Sequence, residues 1–280
     1  MIGLAYQKNH RVSFIVAVAV AMISSFTAMP LQAQWTHYPS TGVPRAPDGK
    51  PDLQAAAPRT ADGKPDLSGI WDIERNRPCP PEGCPDAQIA HEFLDIGWSL
   101  KGGLPYQPWA ADLVKKRLAD NRKDDPNGLC MPRGIIRSHA APLLRKMLQM
   151  PGLVVILNEV NTTYRQIFTD GRPLPDIDQS SFDGFSAGKW EGDTLVVETI
   201  GFKDDLWLDG NGSPMTETAR VTERFRRVNY GKLEIEITVD DPKAYTAPWT
   251  VKLNQHLVPD TELLEWSCVE NEKDSQHLGR

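Results

Sequence analysis

Positive charge is in deficit in this sequence: 31 Lys and Arg face 37 Asp and Glu, a formal net charge of −6. A nucleic-acid groove or a polybasic membrane surface needs the opposite balance, so neither is expected as a partner. Apolar runs long enough to span a bilayer are missing after residue 28, so no membrane span is expected once the N-terminal segment is removed. Metal-ligand spacing is missing too. The histidines (His10, His37, His91, His139, His256, His277) form no H-x-H or H-E-x-x-H pattern, and the cysteines form no C-x-x-C pair, so neither a metal nor a cofactor is expected. Helical periodicity is scarce while 23 Pro and 21 Gly are present, which favours turns and short elements over long helices.

The N-terminus has the form of a secretory signal. Lys8 and Arg11 precede an uncharged apolar run over residues 12–28, which Ser24, Ser25 and Thr27 interrupt and Met29-Pro30 ends. Residues 1–33 are read as the signal peptide, cleaved after Ala33, with an uncleaved anchor as the alternative. The protein is then secreted or periplasmic. Removing two positive charges leaves a mature chain of net charge −8. An oxidising compartment favours disulfides over thiolate metal sites. Four cysteines allow three connectivities; Cys79 with Cys84 closes a small CPPEGC loop, leaving Cys130 with Cys268 as a long-range staple, and free thiols are the alternative.

Residues 34–66 are rich in Pro, Ala and Gly and carry DGKPDL twice, which reads as an extended arm or linker. A first strand follows in LSGIWDI. Residues 74–150 read as a helix and loop insertion, with helical spacing over residues 109–122 (Ala110, Leu113, Val114, Leu118) and more weakly over residues 88–97. From Gly152 the period becomes two. GLVVILNEV, TTYRQIFTD, GFSAGKWEG, DTLVVETIGF, ARVTERFRRV, KLEIEITVDD, PWTVKLNQHL and ELLEWSCVE are eight candidate strands, several joined by hairpin-length links. Leu233, Ile235, Ile237 and Val239 share a face opposite Glu234, Glu236 and Thr238.

An array in meander order must close or fold over to protect its edges. The expected fold is mainly β: one domain over residues 67–280, an antiparallel up-and-down lipocalin-like barrel of about 8–9 strands, with the insertion across one end.

Longer strings carry a resemblance. SGIW resembles the G-x-W opening of lipocalin-like (calycin) barrels. PDLSGIW, YRQIFTDGRPLP, GKWEGDTLVVET, TERFRR, DPKAYTAPWTV and the tail from Glu265 together resemble a family of exported proteins abundant in soil bacteria, over roughly residues 65–280. The resemblance implies export and a single β-rich domain, and it carries over no catalytic residue.

Two motifs are weighed and set aside. GFSAG satisfies G-x-S-x-G, and Ser186, Asp204 and His256 occur in hydrolase order. A nucleophile elbow needs a helix after the serine, however, and KWEGDTLVVET reads as a hairpin. DGNGS starts like a calcium loop but has Pro214 and Arg220 where a glycine and an acid are needed, so a polar turn is expected. Charges within apolar strands are more informative, because a buried charge needs a partner. Glu159, Arg165, Glu198, Glu223, Arg224 and Glu265 are of this kind, and strand alternation decides which of them face solvent. The candidate ligand-binding residues are Tyr164, Arg165, Trp190, Glu198, Glu223, Arg224 and His256, although His256 falls on the Thr250, Lys252, Asn254 face that reads as solvated. The leading expectation is a monomeric exported barrel that binds a small, largely apolar ligand in its interior. The alternatives are an acid–base enzyme of isomerase, hydratase or esterase type in the same cavity, and a structural envelope protein.

Overall fold

The computed structural model describes residues 39–76 and 89–268. The expected signal segment, His10, His37 and His277, and the expected Cys79–Cys84 pairing lie outside them. In chain order the strands are β1 (Gly69–Ile73), β2 (Arg145–Met150), β3 (Leu153–Asn158), β4 (Thr163–Phe168), β5 (Phe185–Glu191), β6 (Thr194–Ile200), β7 (Leu206–Trp207), β8 (Pro214–Met215), β9 (Arg220–Arg227), β10 (Lys232–Asp240) and β11 (Trp249–Leu257). Between β1 and β2 lie α1 (His91–Leu94), α2 (Pro108–Ala119) and α3 (Gly134–Ala140).

Nine strands close a barrel in the order β1-β11-β10-β9-β6-β5-β4-β3-β2, and β7 with β8 forms a separate two-stranded ribbon. Around the barrel the order is that of the sequence, as expected for up-and-down connectivity. One pairing departs from the expected antiparallel pattern: β4 and β5 run parallel, through Ile167↔Ser186 and Phe168↔Ala187. The cause is arithmetic. Strand direction cannot alternate all the way round a ring with an odd number of members, so one adjacent pair must run parallel. A parallel pair cannot be joined by a tight hairpin, and residues 169–184 make the crossover.

The strand roster also differs from expectation at two places. The described part of ELLEWSCVE, residues 262–268, forms no barrel strand; its Trp266 makes an isolated bridge to Val160, and Leu264 N–H donates to the Glu159 carboxylate at 2.8 Å. Its place in the ring is taken by β2, inside the segment read as insertion. Arg145 and Met147 of β2 point inward, and a charged first residue hides the alternation. The Cys130–Cys268 disulfide forms, with Cα atoms 5.6 Å apart, and ties the loop before α3 to this C-terminal segment.

The core follows the period-two pattern. Leu233, Ile235, Ile237 and Val239 of β10 are all fully buried, as are Leu195 and Val197 of β6 and Val221 of β9. At one barrel end Trp71 packs beneath Arg227. There Trp71 is fully buried, its Nε1–H donates to Leu67 O at 3.0 Å, and the Arg227 guanidinium lies 4.9 Å from its ring centroid. Arg227 also donates to Ser68 O at 3.1 Å and to Asp66 O and Tyr230 O. The two DGKPDL repeats fold into matching turns bridged at Arg45↔Pro51 and Arg59↔Pro65. Between them Leu53 O and Ala55 O accept from Gly231 N and Tyr230 N, both at 2.8 Å, so this segment runs along the β9–β10 hairpin. The chain leaves the other barrel end at Ile73 and re-enters it at Arg145, so the inserted helices lie across that end, with Ile135, Ile136 and His139 of α3 buried.

Candidate functional site

Inward-facing polar side chains gather beneath α3. On β9, Val221, Glu223 and Phe225 share the core face, which carries Glu223 into the barrel with zero exposure. On β4, Arg165 takes the same inward phase as Ile167. The two meet in a bidentate pair: Nη1 donates to Oε1 at 3.0 Å and Nη2 to Oε2. Arg165 Nε donates to Ser186 Oγ at 3.1 Å, and Nη2 to Thr199 Oγ1 at 2.9 Å. Ser186 and Thr199 face each other across β5 and β6 and lie 3.1 Å apart at their hydroxyls. A fork of donors on two carboxylate oxygens is the strongest common form of ion pair, and every partner here is buried.

His139 completes the cluster from above, with Nε2 2.9 Å from Glu223 Oε1 and the ring edge-on to Phe225 at 5.8 Å. Burial pushes the imidazole down to about 4, against the opposing hydrogen bond to Glu223. The ring is therefore neutral at pH 7, and its contact with Glu223 is a hydrogen bond rather than an ion pair. A carboxylate can only accept, so the proton sits on Nε2 and Nδ1 is a bare acceptor with no hydrogen-bond partner among the described residues. Burial alone would raise the Glu223 carboxyl, but the Arg165 charge and the hydrogen bonds from His139 and Arg165 outweigh it and hold it at about 2. Beside this group Arg145 donates to Ser138 O and Gln255 Oε1, and Gln255 Nε2 donates to His139 O at 3.0 Å.

These shifts set a sign for acid stability. Between pH about 6.5 and about 4 the unfolded chain protonates His139 and the folded chain does not. Between about 4.5 and about 2 the same holds for Glu223. Both groups therefore withdraw stability as pH falls. Asp183 and Asp209, raised mainly by burial, act oppositely and lose their contribution as pH rises through their folded values. Urea midpoints measured across this range should fall steadily on acidification, and in Glu223→Gln the decline below pH about 4.5 should flatten.

The cluster is reached from outside where β4 and β5 part. Their pairing is confined to two positions, and on the side towards Arg165 and Gly184 the strands diverge under the crossover. A cleft of about 450 Å³ results, walled by Tyr164, Phe168, Phe185 and Pro173, with Arg165 and Ser186 at its floor and Asp183 and Arg172 on the crossover side. Gly184 is required at the strand start: its φ is +63°, and a Cβ there would lie 2.7 Å from Ile200 O.

The seven sequence candidates divide between the two sides of the wall. Arg165 and Glu223 are inside and bonded to each other. Trp190 also points inward, partly buried against the core and paired with Leu195. Tyr164 is outward, at the cleft mouth and 66% exposed. Glu198 and Arg224 lie on the outer face, paired with Arg220 at 2.8 Å and Glu191 at 3.2 Å. His256 is outward too, level with Asp72 and Lys232 and remote from the cleft. Ser186 stands mid-wall, Asp204 is in an exposed loop and His256 is on the outer face, so no triad assembles. The DGNGS turn is closed by Asp209, whose buried carboxylate accepts from Ser213 N and Oγ and from Ile96 N. Among the described residues no cluster of three metal-ligating side chains occurs. Asp183, Ser186, Thr199, Phe168 and Phe185 were absent from the sequence candidates. For Ser186 and Thr199 the signal was their place in the inward phase of β5 and β6, whereas the crossover has no period from which to place Asp183.

No protein-family model and no curated protein matches the chain. Among solved structures, a "secretary abundant heat soluble (SAHS)" protein from Ramazzottius varieornatus is similar with a TM-score of 0.30 and 9% identity, covering 68% of this chain and 93% of that one. A likeness at this level assigns nothing to the chain.

Proposed function

We propose that this protein is an exported, monomeric small-molecule-binding barrel that seats a largely apolar ligand where β4 and β5 part, over the inward-facing Arg165 and Ser186. One observation carries the reading. The short parallel pairing of β4 and β5 leaves beside it an aromatic-walled cleft with a polar floor, and its volume of about 450 Å³ falls in the range of roughly 300–1,000 Å³ usual for ligand sites. Because Arg165 is neutralised by Glu223, the floor supplies oriented hydroxyls rather than a free charge, which fits a ligand with an apolar body. A larger cleft of about 680 Å³ at the arm-covered end is lined by Arg227, Lys146 and Tyr230. There the Arg227 guanidinium is already bonded to backbone carbonyls and stacked between Trp71 and Tyr230, so it has little left to offer a ligand. Export is supported by the signal-like N-terminus and the Cys130–Cys268 disulfide. Among the described residues no helix is long and apolar enough to cross a membrane.

Native mass spectrometry of protein purified from its own cell envelope should detect a retained small molecule. Ala187→Trp, which fills the cleft from the outer face of β5, should lose that molecule without lowering thermal stability. Retention of the same molecule by Ala187→Trp would place it elsewhere and sink the reading. The acid–base enzyme alternative is favoured by one observation, the half-buried Asp183 carboxyl at the cleft, which burial raises above its ordinary value. It requires that the bound compound be altered. Recovery of unchanged compound after prolonged incubation excludes it.

A further inference from the structure

The cleft's charges pair off, with one remainder. Arg165 is matched by Glu223 from β9. Arg172 is matched by Asp170, Nη2 to Oδ2 at 2.6 Å, within the crossover itself. Lys203 faces the Phe182 ring 5.2 Å from its centroid and lines a separate pocket with it. Asp183 has no such counterpart: its backbone N–H donates to Ser181 Oγ at 3.3 Å, and among the described residues no side chain bonds its carboxylate. Yet the group is half-buried in the cleft, where burial raises its carboxyl above the ordinary value and the Arg165 and Glu223 charges of the floor act on it in opposite directions. A desolvated carboxylate without a cation is unfavourable, and a ligand carrying the cation would relieve it. The walls suit the same charge. Tyr164, Phe168 and Phe185 line the cleft, and the face of Phe168 already holds a cation, the Arg172 guanidinium at 3.9 Å from its centroid.

We propose that the cleft recognises an organic cation, a protonated or quaternary amine on a small apolar body, with the amine on Asp183 and the body against Tyr164, Phe168 and Phe185. The inference rests on the cleft being a ligand site and adds the ligand's charge. Aromatic faces and one carboxylate make a cation-selective site; a carboxylate ligand would find Arg165 already engaged and would repel Asp183. Asp183 thus sets specificity for charge, and the Ser186 hydroxyl at the floor is left to orient the far end of the ligand.

Three probes of one shape and different charge test this on the full mature chain by calorimetric titration: phenethylamine, 2-phenylethanol and 3-phenylpropionate. Phenethylamine should bind about tenfold more tightly than 2-phenylethanol, with 3-phenylpropionate weakest. Asp183→Asn should abolish the amine preference, so that within that variant phenethylamine binds no more tightly than 2-phenylethanol. The unmodified protein gives a second readout should that variant not fold: as pH falls from neutrality, phenethylamine affinity should decline with protonation of Asp183 while 2-phenylethanol affinity holds. Equal affinity for the three probes, preference for 3-phenylpropionate, or an amine preference that survives Asp183→Asn overturns the inference and leaves the cleft a ligand site. Failure of all three probes to bind removes the ligand site together with the inference.

Discussion

Glu223→Ala is expected to be the most damaging single substitution in the barrel, lowering stability by about 3–5 kcal/mol. Glu223 is fully buried, and its two oxygens take both forks of Arg165 and the Nε2–H of His139. Removing it leaves the buried Arg165 guanidinium without its counter-charge, between Ser186, Thr199 and apolar wall. The cost is that of an uncompensated charge rather than of the lost contacts. That distinction is testable, because a pair replaced as a unit behaves differently from a pair broken. Arg165→Met combined with Glu223→Leu should recover most of the loss in urea unfolding, as apolar replacement of buried pairs does elsewhere. A double variant as unstable as Glu223→Ala would mean that the pair stabilises the barrel in its own right. Loss of the ligand in a well-folded double variant would assign the pair to the cleft floor.

Trp71→Ala should cost a comparable amount, about 3–5 kcal/mol, at the opposite end of the barrel. Trp71 joins the arm, the first strand and the last hairpins: its ring is fully buried, its Nε1–H meets Leu67 O at 3.0 Å, and Arg227 covers its face. Truncation opens a cavity of indole size under a guanidinium whose other bonds go to Asp66, Ser68 and Tyr230 carbonyls. Trp71→Phe keeps most of the apolar volume and loses the donor to Leu67, so a smaller loss, about 1–2 kcal/mol, is expected. Thermal melts of the two variants beside the wild type check the order. Equal effects would show that the hydrogen bond to Leu67, and not the packing of the ring, holds this end.

How much of this was legible in the sequence differs strand by strand, for physical reasons. In β10 the two faces differ sharply in polarity, and the inward phase of Leu233, Ile235, Ile237 and Val239 follows directly. In β9 the signal for Glu223 was present, since it lies in phase with Val221 and Phe225 while Arg224 lies in phase with Thr222 and Arg226. In β6 both phases are apolar, Leu195 and Val197 against Val196 and Ile200, so Glu198 could not be oriented by pattern alone. β2 was hidden because the inward position that opens it is filled by Arg145, which α3 and Gln255 satisfy from elsewhere in the chain. α3 is a seven-residue helix between prolines at positions 132 and 142, too short to show a period. The parallel pair follows from nine strands by counting, and the nine candidates read in the sequence already had that odd parity; which pair runs parallel depends on the long link over residues 169–184. The crossover over residues 169–184, which carries Asp183 and roofs the cleft, has no alternation at all; its function lies in where the barrel's closure places it.

The location of the ligand is what most directly tests the whole reading, and backbone amide chemical-shift mapping of the isotope-labelled protein with 2-phenylethanol reads it residue by residue. Shifts should concentrate on Tyr164, Gln166, Phe168 and the stretch from Ser181 to Ala187, with weaker changes at Thr199. Shifts centred instead on Thr41, Tyr230 and Val258 would put the ligand between the arm and the barrel, and would contradict a binding site made by the parting of β4 and β5.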